Sequence, residues 1–125
     1  MDMSSDGLDR AIELSHVALH EIVNGNSAGY NMLFPQREDV TLGNPFGPFV
    51  RGRQRVVETA AGAARRYRDG EIVGFDLIAR YVTDDLACVV EVERFRAKVG
   101  GSADSATIGL RVTSINRPAG GASGA

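Results

Sequence analysis

Three β-rich runs within residues 71–116 constrain the fold more than any other part of this chain. The first, residues 72–82, alternates apolar and polar side chains with the period of two that is typical of a strand with one buried face. Asp84 and Asp85 follow it and favour a tight turn, because their short side chains bond to their own backbone. The pattern predicts a strand and a hairpin, with an apolar face that carries Val73, Phe75, Leu77, Ala79 and Tyr81.

The second and third runs extend the predicted sheet. Residues 86–98 begin with five consecutive apolar side chains and then alternate, which indicates a central strand that is covered on both faces at its start. Gly100 and Gly101 predict a looser turn, since glycine adopts positive φ without steric cost. Residues 106–116 alternate again. The three runs together predict a long antiparallel meander.

The segments before these runs have the patterns of helices. The first helix is predicted to begin at Ser5 or Asp6 and to end near Asn24, with apolar residues at helical spacing on one face. A short second helix is predicted over residues 27–34 and a third over residues 53–68. Helices followed by an antiparallel meander predict an α+β architecture in which helices cover one face of the sheet.

Composition narrows the class of protein. The chain has 125 residues, of which 43% are hydrophobic and 24% charged, and this predicts one globular domain over residues 1–117. The formal net charge of -2 disfavours nucleic-acid binding. An acidic start without an apolar core and the lack of a long apolar run disfavour a signal peptide and a membrane span. We therefore expect a cytoplasmic protein, with a disordered Gly/Ala tail at residues 118–125.

Residues 39–58, DVTLGNPFGPFVRGRQRVVE, combine a short strand, a hook rich in Gly and Pro, and the start of a helix. With the order of elements over residues 8–116, this segment resembles the nuclear transport factor 2-like (NTF2-like) superfamily, which includes SnoaL-like proteins and ketosteroid isomerases. The resemblance implies a cone-shaped, strongly curved antiparallel sheet packed on a long N-terminal helix plus two further helices, a cystatin-like roll. It also implies an apolar pocket between sheet and helices.

The sequence departs from the isomerases of this superfamily at their functional positions. Their general base stands just before the hook proline, where this chain has Asn44, and an amide cannot act as a base. Their first-helix tyrosine falls near His20 and their late-strand acid near Arg111. Relatives also continue into one more strand after the one that matches residues 106–116. We therefore expect the sheet to have an open edge or an edge covered by another chain.

Other charged residues have two interpretations. His16 and His20 are four residues apart on a helix, a spacing that can chelate a metal, but with no third ligand evident we predict no metal site and no cofactor. Charged side chains on the strands are explained by cross-strand pairs on a solvated or dimer-facing surface. Alternatively, Asp76 or Arg111 points into the cone, where burial would perturb its proton affinity.

The main hypothesis is a SnoaL-like small-molecule binding protein that forms a homodimer through its sheet and holds a small hydrophobic molecule in an apolar cavity. A second is an acid–base enzyme, such as an isomerase, cyclase or hydrolase-like protein, with His20 or Asp76 as the catalytic base. A third is a structural or degenerate dimerisation domain. The predicted ligand-binding residues are Tyr30, Asn44, Phe46, Phe49 and Arg111.

Overall fold

The structure is a computed structural model in which residues 5–117 are described, with side chains from residue 7 onward. The predicted tail at 118–125 lies outside the described residues. No helix of the described part is long and apolar enough to cross a membrane. In chain order, the helices and strands are α1 (Ser5–Ile22), α2 (Ala28–Asn31), β1 (Thr41–Leu42), β2 (Val50–Arg51), α3 (Arg53–Ala64), β3 (Tyr67–Val82), β4 (Ala87–Val99) and β5 (Ser105–Asn116).

The three long strands form one antiparallel sheet in the order β3-β4-β5, so β4 is central as its apolar start predicted. Strands β1 and β2 pair separately, on either side of the hook. The predicted α+β architecture, with an N-terminal helix and a curved antiparallel sheet, is confirmed. Within residues 5–117, β5 pairs with β4 alone, which leaves its other edge without a partner strand from the described chain.

Strand β3 does not keep the simple alternation that its sequence predicted. Its pairing with β4 shifts register between Ile72 and Gly74 and again between Leu77 and Ala79. Each shift adds a residue that moves the following side chains to the other face. As a result, the predicted apolar face was wrong at Val73, Ala79 and Tyr81.

The second register shift turns Arg80 toward the helices. Arg80 pairs with Val89, which is buried on the inner face of the sheet, the face that packs against α1. Its guanidinium Nη1 lies 2.8 Å from Asp9 Oδ1 on α1 and donates a hydrogen bond to it. An arginine that the alternation placed outside therefore ties the first helix to the sheet.

The core lies between α1, α3 and the inner face of the sheet. Strand β4 contributes Phe95, which is fully buried, and the end of α1 packs against it. A second, smaller cluster around Leu8 joins the start of α1 to the start of β4. The buried face of α1 agrees with the predicted helical spacing. The main cluster contains Leu19, Ile22, Val23, Ala64, Tyr67, Phe95 and Ala97.

The end of α1 is fastened to β3 at Gly70. The side chain of Asn24 donates to the carbonyl of Gly70 and accepts from its N–H, both at 3.0 Å. A Cβ atom at position 70 would lie 2.5 Å from the carbonyl oxygen of Val23, so only glycine permits this approach. Helix α3 ends at Ala64, four residues before its predicted end, because β3 already begins at Tyr67.

Candidate functional site

Two glutamates of β4 face the inside of the fold. Glu91 and Glu93 are two residues apart on one strand, so their side chains share a face. The same face carries buried Val89 and Phe95 on either side of them. Glu91 is only 5% exposed, which is unusual for a carboxylate. Two carboxyl groups therefore lie in the middle of an otherwise apolar strand face.

Glu91 is paired with His16 of α1. Nε2 of His16 lies 3.0 Å from both carboxylate oxygens of Glu91, so its N–H donates to the carboxylate. The imidazole also stacks on Phe75 of β3, with ring centroids 3.5 Å apart and an interplanar angle of 4°. The ring is thus held by a carboxylate at its edge and an aromatic face beneath it.

This arrangement fixes the tautomer of His16. With the proton of the neutral ring on Nε2, its second nitrogen, Nδ1, is an acceptor. Nδ1 forms no hydrogen bond with any other described residue. The His16 side chain is 25% exposed, against 6% for Glu91. Nδ1 of His16 is therefore left without a hydrogen-bonding partner among the described residues, at the rim of the buried pair.

Glu93 is the most perturbed acid of the site. Burial, with a smaller contribution from the charge of Glu91, raises the pKa of Glu93 from its usual 4.5 to about 7. Its carboxyl group forms no hydrogen bond or ion pair with the other described residues. A carboxyl group with a pKa near neutral can both donate and accept a proton.

Two tyrosines lie within electrostatic range of Glu93. Burial raises the pKa of Tyr30 to about 12, and the charge of Glu93 adds to this. Burial and Glu93 also raise the pKa of Tyr67, partly offset by Arg66. Both phenols therefore keep their protons at neutral pH and can act only as neutral hydrogen-bonding groups.

The inner face is partly open beside the glutamates. Leu77 of β3 and Val112 of β5 pair with Glu91 from its two sides and so share its face. Although Glu91 is covered, Leu77 remains 52% exposed. The two glutamates are therefore bordered on the β3 side by an apolar side chain that is accessible to solvent. We call His16, Glu91, Glu93, Phe75 and Tyr30 the inner cluster.

The predicted catalytic residues lie elsewhere. His20 is exposed on α1, one turn beyond His16. Asp76 pairs with Val92 and lies on the outer face of the sheet, where Arg94 Nη2 donates to it at 2.9 Å. Asp76 is 56% exposed in this ion pair. The structure does not bring His20 and Asp76 together, and their catalytic roles stay predictions.

Arg111 is also placed outside. It pairs with Val92 on β4, so it shares the outer face with Asp76, and it is exposed. The alternative that Asp76 or Arg111 points into the cone was therefore wrong, because the register sets both on the outer face. Of the predicted ligand-binding residues, Tyr30 belongs to the inner cluster.

The hook residues line a second concavity. Asn44 and Phe46 border a groove of about 500 Å³ between the hook and α3, to which Arg65 and Arg66 also contribute. The side-chain oxygen of Asn44 accepts a hydrogen bond from the N–H of Phe46 at 2.8 Å, which shapes the hook. Phe49 is 81% exposed and lies with its ring against Gly43.

Sequence reasoning missed the two glutamates of the inner cluster and the pairing of Glu91 with His16. Glu91 and Glu93 were assigned to a solvated or dimer-facing surface with the other strand charges. A signal was present, since Val89, Glu91, Glu93 and Phe95 share one face by simple alternation. Two acids bracketed by large apolar side chains on a central strand indicate buried carboxyl groups.

The two histidines of α1 that were considered as metal ligands have different surroundings. Among residues 5–117, no group of three or more His, Cys, Asp or Glu side chains is placed to hold a metal ion. His16, one half of the histidine pair considered above, is instead held by Glu91.

The chain is similar to the crystal structure of a protein from Streptomyces avermitilis, described as "a putative dehydratase from the NTF2-like family". The two share 18% sequence identity with a TM-score of 0.65, over 91% of this chain and 88% of that chain. This likeness shows that the chain has the NTF2-like fold, as the hook segment predicted. The sequence matches no family model and no curated protein.

Proposed function

We propose that this protein is an acid–base enzyme that acts on a small, largely apolar molecule at the inner cluster. The observation that carries the proposal is the His16–Glu91 pair, with the carboxyl group of Glu93 on the same strand face and without a partner among residues 5–117. A base and an acid side by side in apolar surroundings are the parts that proton transfer to and from carbon requires.

Each member of the cluster has a distinct role in this proposal. Nδ1 of His16 accepts a proton from the ligand, and the Glu91 carboxylate stabilises the imidazolium that forms. Glu93 in its protonated state donates its proton to a ligand oxygen. Residues 91 and 93 are about 7 Å apart along the strand, so the His16–Glu91 pair and Glu93 are neighbours on one face of the sheet.

The surroundings favour an apolar substrate. Phe75 and Tyr30 provide ring surfaces, and Leu77 and Leu110 provide aliphatic surface on the same face. The name of the Streptomyces protein, a putative dehydratase, is compatible with this chemistry, since loss of water also needs a base at carbon and an acid at oxygen.

A binding protein without turnover is the second candidate. The hook position just before Pro45 carries an amide, and the Asn44 oxygen is already engaged by the backbone of Phe46. No carboxylate is thus supplied by the hook, which favours ligand binding over the isomerase type of reaction. In this case the inner cluster orients a ligand without moving its protons.

We also propose that the homodimer predicted from the sequence forms through the outer face of the sheet. Tyr81 and Ile115 both pair with Cys88, so these three side chains form one row across the outer face. Tyr81 is 65% exposed and Ile115 is 62% exposed. Tyr81→Glu should convert the dimer to a monomer in light scattering. A wild-type chain that is monomeric at all concentrations would contradict the dimer.

The enzymatic proposal is tested by proton exchange at carbon. The probe is β-tetralone, an apolar ketone with acidic α-protons, in deuterium oxide, followed by proton NMR. We expect wild-type protein to accelerate exchange over buffer, and Glu93→Gln or His16→Gln to lower this acceleration about 100-fold or more. Asp76→Asn on the outer face is the matched control and should leave the rate unchanged.

The outcomes separate the candidates. Shifts of Tyr30 and Phe75 resonances with β-tetralone, without faster exchange, would favour the binding protein. Exchange that survives Glu93→Gln but is lost in Asp76→Asn would overturn our assignment and restore the base predicted from the sequence.

A further inference from the structure

The groove between the hook and α3 is chemically unlike the inner cluster. Its polar walls are Asn44, Thr59, Arg65 and Arg66, and its apolar walls include Phe46. Among the described residues that line it, none is Asp or Glu. In a chain with a formal net charge of -2, this groove is bordered by two guanidinium groups and no carboxylate. Its volume of about 500 Å³ is that of a small-molecule site.

The two arginines do not connect parts of the described chain through hydrogen bonds or ion pairs. Neither the Arg65 nor the Arg66 side chain forms an ion pair or a hydrogen bond with another described residue. Arg68, close by, differs: it donates to the carbonyls of Gly100 and Ser102 and so fastens a turn. The partial negative charge at the C-terminal end of α3 explains why arginines are favoured there. It does not explain why both guanidinium groups border the same groove.

One of these guanidinium groups lies on an aromatic ring. The central carbon of the Arg66 guanidinium is 4.7 Å from the centroid of Phe46. The Phe46 ring in turn packs on Tyr67, with centroids 5.5 Å apart. Tyr67 is buried, so the Phe46 ring is supported from below by the core. The Arg66 guanidinium and the Phe46 ring thus lie together at one wall of the groove. This wall favours a ligand that has a planar part and a negative charge.

We propose that this groove is a binding site for a small organic anion, whose carboxylate or phosphate group is held by Arg65 and Arg66 while its flat apolar part lies against Phe46. Planar guanidinium groups bind carboxylate and phosphate oxygens through pairs of N–H donors. The hydroxyl of Thr59 and the amide of Asn44 line the same groove and provide further donors. The site shares no residue with the inner cluster.

The test measures binding of four probes by isothermal titration calorimetry: naphthoate, naphthyl phosphate, inorganic phosphate and the uncharged naphthalenemethanol. We expect the two aromatic anions to bind more tightly than inorganic phosphate, and naphthalenemethanol not to bind detectably. Arg65→Gln and Arg66→Gln should each weaken naphthoate binding about tenfold to a hundredfold. Phe46→Leu should weaken the aromatic anions and leave inorganic phosphate unchanged.

Arg55→Gln is the matched control. Arg55 is exposed on α3, has no partner among the described residues and does not line the groove. Its substitution changes the net charge by the same amount. It should leave binding unchanged. Equal weakening in all three arginine variants, equal binding of naphthalenemethanol, or no binding of either aromatic anion would each overturn the proposal. The Arg65 side chain forms no hydrogen bond or ion pair with the described residues, so we expect Arg65→Gln to fold like the wild-type protein.

Discussion

The two faces of the sheet at β3 and β4 carry acidic side chains in opposite surroundings. On the outer face, Arg94 and Arg96 are exposed and reach exposed acids of β3. On the inner face, Glu91 and Glu93 lie among apolar side chains, and only Glu91 has a hydrogen-bonding partner in the described part of the chain. Residue type therefore does not decide whether an acid is solvated or buried, because the side of the sheet decides it.

The energetic consequences differ accordingly. An exposed ion pair contributes about 0–1 kcal/mol, because water and salt screen it. A buried carboxylate loses its hydration energy, and a hydrogen-bonding partner offsets this loss only in part. Keeping Glu91 and Glu93 inside costs stability that an apolar pair would not cost. We interpret this cost as a sign that the inner cluster is retained for function.

Breaking the inner pair should have the largest effect. His16→Leu leaves the Glu91 carboxylate buried without its only partner among the described residues, which typically costs about 3–5 kcal/mol. Urea unfolding at neutral pH measures the loss in the free energy of unfolding. The double variant His16→Leu with Glu91→Leu should recover most of it, since no charge is then left unpaired. If the double variant is as unstable as the single one, the loss comes from packing and not from charge.

The ionisation of Glu93 should have the next largest effect. Whereas His16→Leu lowers the free energy of unfolding, removing the Glu93 carboxyl group should raise it. Because the folded state raises the pKa of Glu93 to about 7, ionisation destabilises the fold as pH rises from about 4.5 to about 7. Glu93→Gln removes this penalty and should raise the free energy of unfolding by about 3 kcal/mol at pH 8. Urea unfolding of both proteins at pH 8 measures this difference.

The same comparison at pH 4 is the control. There the carboxyl group is protonated in both the folded and the unfolded state, so Glu93→Gln should change the free energy of unfolding very little. A difference between the two proteins that is the same at pH 4 and pH 8 would mean that Glu93 is not perturbed by burial.

The outer face should show the smallest effect. Asp76→Asn removes the ion pair with Arg94, in which both side chains are at least half exposed. We expect a loss of about 0.2–1 kcal/mol in the free energy of unfolding that disappears in molar salt. Unfolding in urea with and without sodium chloride measures it. A loss as large as that of His16→Leu would erase the distinction between the two faces.

The sequence by itself determined the order of the elements and the central place of β4. Three local patterns were sufficient for this: the apolar start of β4, the helical spacing in α1 and the hook at residues 43–52. Each predicts the same element however the rest of the chain packs. These patterns, with the resemblance of the hook segment, were enough to predict an α+β fold of the NTF2-like type.

Only the tertiary structure decided which charges are inside. The register shifts in β3 are not visible as a pattern, and they place Arg80 inside and Tyr81 outside. The pairing of His16 with Glu91 joins residues 75 positions apart, and no spacing along the chain encodes it. Burial and cross-strand register are properties of the packed sheet, so the candidate site emerges only when helix and sheet meet.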